Sequence, residues 1–470
     1  MTLLTRLQKC VSLFLLLAFL TVSLTGCSLF LKNNGSAKKK ITLTYYRYGQ
    51  DAEAVAPLLQ SYQTTHPGIA ISLVSKFSSF EQYEDALINQ IAEGGGPDIF
   101  SVPSTWIYKH QKIISPVPEN LATVDQFRQT FVAGADRDLI RPDLDGSGKL
   151  RIFGIPLFVD TLAVFYNKLQ YEDRIPTRGR VAALWKDFLL DSISLTKAGE
   201  GGAFDVSGAA LGRTDNVTYG LDVLYALILQ HAGSLYSPDG TSASIRTGFP
   251  DALNFFVGFS KPGSSNFSWS RSSADLIGSR DFLSFATGRV STIFGYSDTY
   301  DKLLRLMNSS ALQSHRPISP NNIGIAPLPQ IYDADASVQP RVAYAKYDFE
   351  TVSRNSAHKN EAWDLLLFLG NKKNQEIYHQ KTHKPTSRRD LLDAQSKDPL
   401  YGVFAEQVGY SQSLPLYHQP KVDDFFHAAI SDIVDRSLSV KDASATLEGQ
   451  LNTLLPPGGF TGPGPHAMKR

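Results

Sequence analysis

The sequence predicts an α/β fold. β-branched and aromatic runs alternate with amphipathic helical stretches over the first hundred residues, and the alternation continues to residue 455. The chain carries only Cys10 and Cys27, so a disulfide framework is not what holds it together. Its 470 residues allow two or three domains built on hydrophobic cores.

The elements follow in order. Residues 41–46 (ITLTYY) form a strand. Residues 53–65 place Val55, Leu58, Leu59 and Tyr62 at helical spacing, and His66-Pro67-Gly68 stops that helix. Residues 70–74 (AISLV) give a second strand, 80–92 a second helix, and 98–102 a third strand after Gly94-Gly95-Gly96-Pro97. That glycine run lacks the Gly-Lys-Ser/Thr entry of a phosphate cradle, so it reads as a helix stop. Strand–helix–strand–helix–strand implies parallel pairing through right-handed crossovers, with ligands bound where strands end and helices begin. Residues 153–166 (FGIPLFVDTLAVFY), long and apolar, suit a crossover strand. Beyond it, 216–232, 274–287 and 360–378 read as helices, and 289–294 and 322–328 as strands. Residues 423–438 and 443–455 close the fold as helices.

The two ends read differently. Arg6 and Lys9 precede an uncharged run, residues 11–24, which leads into Leu24-Thr25-Gly26-Cys27. A positive segment, an apolar core and small residues make a secretory signal. The run holds 14 residues, short of the roughly 20 needed to span a bilayer. Its end resembles a bacterial lipobox, which implies cleavage before Cys27 and a diacylglycerol on that sulfur. Residues 27–40, polar and basic after the first few, are then a lipidated tether at the outer face of the cytoplasmic membrane. Residues 457–470, rich in Pro and Gly, read as a disordered tail. Loss of residues 1–26 leaves 44 basic against 45 acidic residues, which argues against nucleic acid as a partner.

Six stretches together carry a resemblance. They are 94–100 (GGGPDIF), 153–168, 209–233, 285–296 (FATGRVSTIFGY), 322–330, and 352–369 with 384–392 (KPTSRRDLL). In this order the chain resembles the extracellular solute-binding proteins of ABC importers, the maltose-binding-like family. The resemblance implies a two-lobed periplasmic-binding-protein-like fold of type II, with lobes joined by crossover hinge segments. Carried onto this chain, lobe I spans 41–155 and 329–384, and lobe II spans 156–328 and 385–456. The crossings then fall at Pro156, Pro327/Pro329 and Pro385.

A sugar site needs aromatic platforms beside groups that donate and accept hydrogen bonds. Trp106, just past the third strand, suits a stacking platform or, equally, packing on its own helix. Asp160 lies inside an apolar crossover, where a ligand hydroxyl or a structural partner must satisfy it; the family places an acidic ligand contact there. Tyr296 ends a strand where the family often has an aromatic facing solute, and Gly295 beside it permits close backbone approach. Trp269 is a looser candidate. Gln50 and Asp51 follow the first strand, Asp51 being first a favourable charge at a helix N-terminus. Arg388 and Arg389 flank the third crossing, as a solvated pair, a fork onto a ligand oxygen or an interlobe clasp.

Other signals weigh less. Residues 143–149 begin like a calcium loop, but the twelfth position is Gly154 where a bidentate Glu is wanted. His379 and His383 lack the Glu of a zinc helix. No nucleophile elbow or P-loop occurs. The expectation is a non-enzymatic subunit, without metal or cofactor, that captures a small solute, expected to be a sugar, and delivers it to an ABC permease. The alternatives are a lipid-anchored carbohydrate-processing enzyme and a solute sensor feeding a signalling receptor.

Overall fold

The computed structural model describes residues 40–49, 51–199, 204–245, 248–271, 281–312, 316–332 and 340–460. The expected signal with Cys27, the tether up to residue 39, Gln50 and residues 461–470 lie outside the described residues.

Two sheets anchor two lobes. The larger has the order Ile69–Val74, Ile41–Tyr46, Ile99–Pro103, Asp348–Ser353, Ile114–Ser115, with Ile155–Pro156 also paired to Asp348–Ser353. Its first three strands are parallel, as the strand–helix alternation predicts. Helix Phe80–Ala92 buries Tyr83, Leu87 and Ile91 on one face, and the Ser79 hydroxyl accepts from the Gln82 amide to cap it. Gly94 and Gly96 take φ of +85° and +92° and turn the chain into the next strand. The glycine run is the helix stop that the sequence implies.

The smaller sheet is antiparallel, with Ala163–Asn167 between Thr292–Gly295 and Ile323–Pro327. Both of its faces are covered. Phe165 and Ile293 pack with Trp269 and Phe285, while Phe294 meets Trp185 and Phe188 of helix Trp185–Leu195. Lys168–Arg174, Asp281–Ala286 and Gly402–Val408 pack on its three strands, while Gly220–Gln230, Phe249–Gly258, Gln419–Arg436 and Val440–Leu454 pack on one another.

A third sheet joins the lobes: Asp160–Thr161, Ala343–Lys346 and Ser411–Gln412. The apolar run 153–166 is therefore not one strand. Its pieces enter three different sheets, which explains why it is apolar without alternation.

Three sets of contacts lie at the edges of the expected lobes. Gln330 bonds through its backbone to Ala183 and Trp185, and Gln230 holds the carbonyls of Pro329 and Val342. Residues 329–330 and 342, at and just past the expected crossing at Pro327/Pro329, are thus held to helices Trp185–Leu195 and Gly220–Gln230. Helix Arg389–Gln395, just past the expected crossing at Pro385, packs on Gly402–Val408 and also on Val124–Thr130 and Lys372–Thr382. Residues 457–460, expected in the disordered tail, instead pack through a buried Phe460. Helix 360–378 is in fact two, Lys359–Leu369 and Lys372–Thr382, divided where a Cβ on Gly370 would meet Ile155 Cγ2 at 2.7 Å. Among the described residues, no helix is long and apolar enough to cross a membrane.

Ser79→Ala removes a helix N-cap while touching no core residue. It is expected to lower unfolding free energy by about 1 kcal/mol in urea denaturation.

Candidate functional site

The carboxyl ends of the parallel strands, the joining sheet and the helices of the second lobe enclose one cleft. It consists of two adjoining cavities of ≈ 490 Å³ and ≈ 580 Å³ that share Tyr48, Phe80, Pro103 and Asp348. Tyr48 follows the first strand and Phe80 opens the helix after the second, so the α/β topology brings both aromatics to the cleft edge. The floor is the stretch from Tyr344 to Asp348, where the chain passes from the joining sheet into the large sheet. The opposite wall comes from Gln419 and Asp423 in the first cavity and from Asp298 and Lys302 in the second.

Trp106 stands in the first cavity, 7% exposed. Its indole N–H donates to Glu84 Oε1 at 2.8 Å, and its ring stacks on His110 at 4.0 Å between centroids. Burial, with Lys109 and His418 nearby, pushes His110 down to about 3, so the ring against Trp106 is neutral. Across the cavity, Asp423 accepts from Tyr225 Oη at 2.5 Å and from Gln419 Nε2 at 3.3 Å. Burial pushes Asp423 up to about 6. The first cavity is thus aromatic on one side and a hydrogen-bonding wall on the other.

Asp51 lines the second cavity. It accepts from Tyr378 Oη and from Lys384 Nζ at 2.9 Å, and Arg47 Nη2 lies 4.0 Å away. Burial alone would raise it; the Lys384 ammonium and the Arg47 guanidinium overcome that and hold it well below the usual carboxylate range. Its side chain makes no capping bond to the helical turn it precedes, although its charge stands at that turn's N-terminus. Lys302, on the far side, pairs with Asp298 at 2.8 Å.

The other expected residues lie elsewhere. Asp160 lines neither cavity. Its carboxylate accepts from Ser297 Oγ at 2.6 Å and from the amides of Thr161 and Ser297, so a structural partner satisfies it. Burial, together with the nearby Asp298, pushes it up to about 7 against the Ser297 hydrogen bond. Tyr296 sits one layer behind the floor: the Lys346 ammonium lies 5.7 Å from its ring centroid, and Tyr219 meets it edge-on at 5.0 Å. Its buried hydroxyl has no hydrogen-bond partner among the described residues. A Cβ on Gly295 would meet Thr299 Oγ1 at 2.3 Å, which gives that glycine its reason. Trp269 is wholly buried in the core of the second lobe, its N–H donating to Asn216 Oδ1 at 2.9 Å. Arg388 forks onto Asp390 at 2.9 and 3.1 Å and holds the Gly370 carbonyl, away from both cavities. Gln50 lies outside the described residues.

The 143–149 loop is a turn: Asp143 pairs with Arg151 at 3.2 Å and Asp145 accepts from the Ser147 amide. His379 Nδ1 bonds the Lys384 carbonyl, and His383 stacks on Tyr401. Among the described residues, no group of three or more His, Cys, Asp or Glu is placed to hold a metal.

Sequence reasoning missed the floor. Tyr344, Lys346 and Asp348 alternate in AYAKYDFE, and polar residues at alternate positions of an otherwise buried strand were the available signal. Lys384, inside the quoted KPTSRRDLL stretch, was the cation that Asp51 required.

A sequence model of the family described as bacterial extracellular solute-binding protein matches residues 46–376. Several solved structures share the fold. The sugar-binding protein MalE of Xanthomonas citri is 17% identical with a TM-score of 0.71, covering 88% of this chain and 97% of that one. An ABC substrate-binding protein of Listeria monocytogenes in complex with cycloalternan is 18% identical, with a TM-score of 0.64 and coverage of 88% and 98%. An ABC transporter solute-binding protein of Thermotoga lettingae bound to α-D-tagatose is 17% identical, with a TM-score of 0.62 and coverage of 88% and 99%. At such identities the likeness is one of fold. No curated protein sequence matches the chain.

Because the Asp160 carboxyl is raised in the folded state, the native protein binds the extra proton between about pH 4 and pH 7. Its contribution is therefore fully present below the unfolded value and is lost as pH rises through about 7. Urea denaturation at stepped pH is expected to show a smaller loss of stability across that window in Asp160→Asn than in the parent chain.

Proposed function

The chain belongs to the bacterial extracellular solute-binding protein family, and on that premise we propose that it captures a carbohydrate for an ABC permease. The observation that supports this reading is the double cavity. Each half falls within the range of about 300–1,000 Å³ that suits a small ligand, so the joined cleft has room for a chain of sugar rings. Tyr48, Phe80 and Trp106 offer aromatic surface to C–H faces, while Gln419, Asp423 and Lys346 offer partners to hydroxyls. The named ligands of the fold neighbours, cycloalternan and tagatose, are carbohydrates as well.

Of the seven residues picked out from sequence, Trp106 and Asp51 are the ones we assign to solute. Tyr296 supports Lys346 from behind. The first lobe is built on the large sheet. The second is built on the small sheet and its helices, with crossings at about 156–162, 342–347 and 396–413. Solute then contacts both lobes only when they close, and it favours closure by its differential affinity for that form; about 5.5 kcal/mol would take a 1:99 ratio to 99:1. No step on the solute requires catalysis.

We further assign Cys27 as the lipidated residue after removal of 1–26, which tethers the protein at the outer face of the membrane beside its permease. At about 0.8 kcal/mol per buried CH₂, one acyl chain holds marginally and two hold stably, so a diacyl anchor suits permanent residence.

Titration calorimetry across maltooligosaccharides, cyclic glucans and ketohexoses is expected to find at least one binder, recovered chemically unchanged. Trp106→Ala is expected to weaken that binding by about 2 kcal/mol, roughly thirtyfold. Silence toward every carbohydrate, or release of products, would overturn the reading. Cys27→Ser is expected to move the protein out of the mature membrane-bound pool without changing affinity, as read by fractionation and by the same calorimetry.

A further inference from the structure

Thr105 belongs to the first lobe and Gln419 to the second, yet Thr105 Oγ1 donates to Gln419 Oε1 at 2.5 Å across the end of the first cavity. A second contact joins the same two segments. Phe460 is 6% exposed, and three tyrosines surround its ring. Tyr108, three residues beyond Thr105, meets it edge-on at 5.9 Å. Tyr417, two residues before Gln419, lies at 5.2 Å, and Tyr236 of the second lobe meets it edge-on at 5.0 Å.

The backbone fixes Phe460 to the second lobe. Its amide donates to the Gly240 carbonyl at 3.3 Å, and Gly459 donates to Pro456. Gly240 takes φ of +68°, and a Cβ there would meet the Phe460 carbonyl at 2.1 Å, so the position accepts only glycine while the segment is docked. Tyr108 is fixed as firmly to the first lobe, its hydroxyl donating to buried Asp138 at 3.0 Å. A rotation that parts Thr105 from Gln419 must therefore pull Tyr108 off Phe460, or strip Phe460 from Gly240.

We propose that Phe460 is an interlobe latch: the C-terminal segment inserts this ring between Tyr108 and the Tyr236/Tyr417 pair and biases the lobes toward the closed arrangement. The latch makes Phe460 a positioning residue, since it touches neither cavity but holds the Tyr417–Gln419 wall against the Trp106 side. It rests on the two-lobed reading and is independent of which solute binds. In the latched state less of the closing cost falls on the ligand, so losing the latch lowers apparent affinity in proportion to the lost closed population.

The test uses the ligand-free protein, read by small-angle X-ray scattering and by urea denaturation. Phe460→Ala and a chain ending at Gly459 are both expected to show a larger radius of gyration. Each is expected to unfold in one cooperative transition, and Phe460→Tyr should keep the parent dimension. The closed-to-open ratio is expected to fall on the order of tenfold, equivalent to about 1.4 kcal/mol. Unchanged dimensions in both variants would overturn the proposal. So would loss of the cooperative transition in both, because the segment would then be part of the second lobe's core. No sugar enters these measurements, so a failed carbohydrate assignment leaves them unaffected.

Discussion

The structure depends on one strand pairing that closes very late in the chain. Asp348–Ser353 lies between Ile99–Pro103 and Ile114–Ser115, with Glu350 opposite Ser101. The large sheet thus has a gap at its centre until residues almost 250 positions away return to fill it. Two consequences follow. The small sheet of the second lobe must be made between departure and return, and the segments that leave and come back must lie side by side. Their pairing, Lys346 with Asp160 and Ala345 with Thr161, is the joining sheet. The cleft floor is simply the place where the returning strand passes from that sheet into the large one.

Behind the floor the protein buries charge. Glu350 accepts from Tyr45 Oη at 2.5 Å and from Ser101 Oγ at 3.2 Å, and lies 3.5 Å from Arg47. Such a group is weak evidence of net stability, because desolvation offsets the attraction, but losing one partner leaves an uncompensated charge. What it does here is fix register: Tyr45, Ser101 and Glu350 come from three adjacent strands. Toward the cleft the same chain of charge continues through Arg47, Asp51 and Lys384, and Lys384 also lies 4.0 Å from the Phe158 ring in the first crossover. The second cavity therefore owes its shape to the residues that tie the crossovers to the large sheet.

Much of this was legible in the sequence, and the limits have physical causes. Strand and helix order in the first hundred residues followed from periodicity because each element is half-buried. The crossover 153–166 resisted that reading, since its pieces are buried on all sides in three sheets. Trp106 and Asp51 line the cavities because topology puts strand ends at a cleft. Trp269 and Asp160 line neither cavity, and a buried Trp or Asp looks alike in sequence whether its partner is a ligand or, as here, Asn216 or Ser297. Phe460 was hidden among Pro and Gly, whose composition speaks of disorder. Its three tyrosine partners come from segments far apart in the chain.

We propose that one solute is held by both lobes at once, against Trp106 and the 344–348 floor. Backbone hydrogen exchange with and without a saturating carbohydrate ligand tests it most directly. Slowed exchange is expected together in residues 104–110, 344–348 and 417–423. Slowing confined to one lobe, or to surfaces outside the cleft, would contradict it.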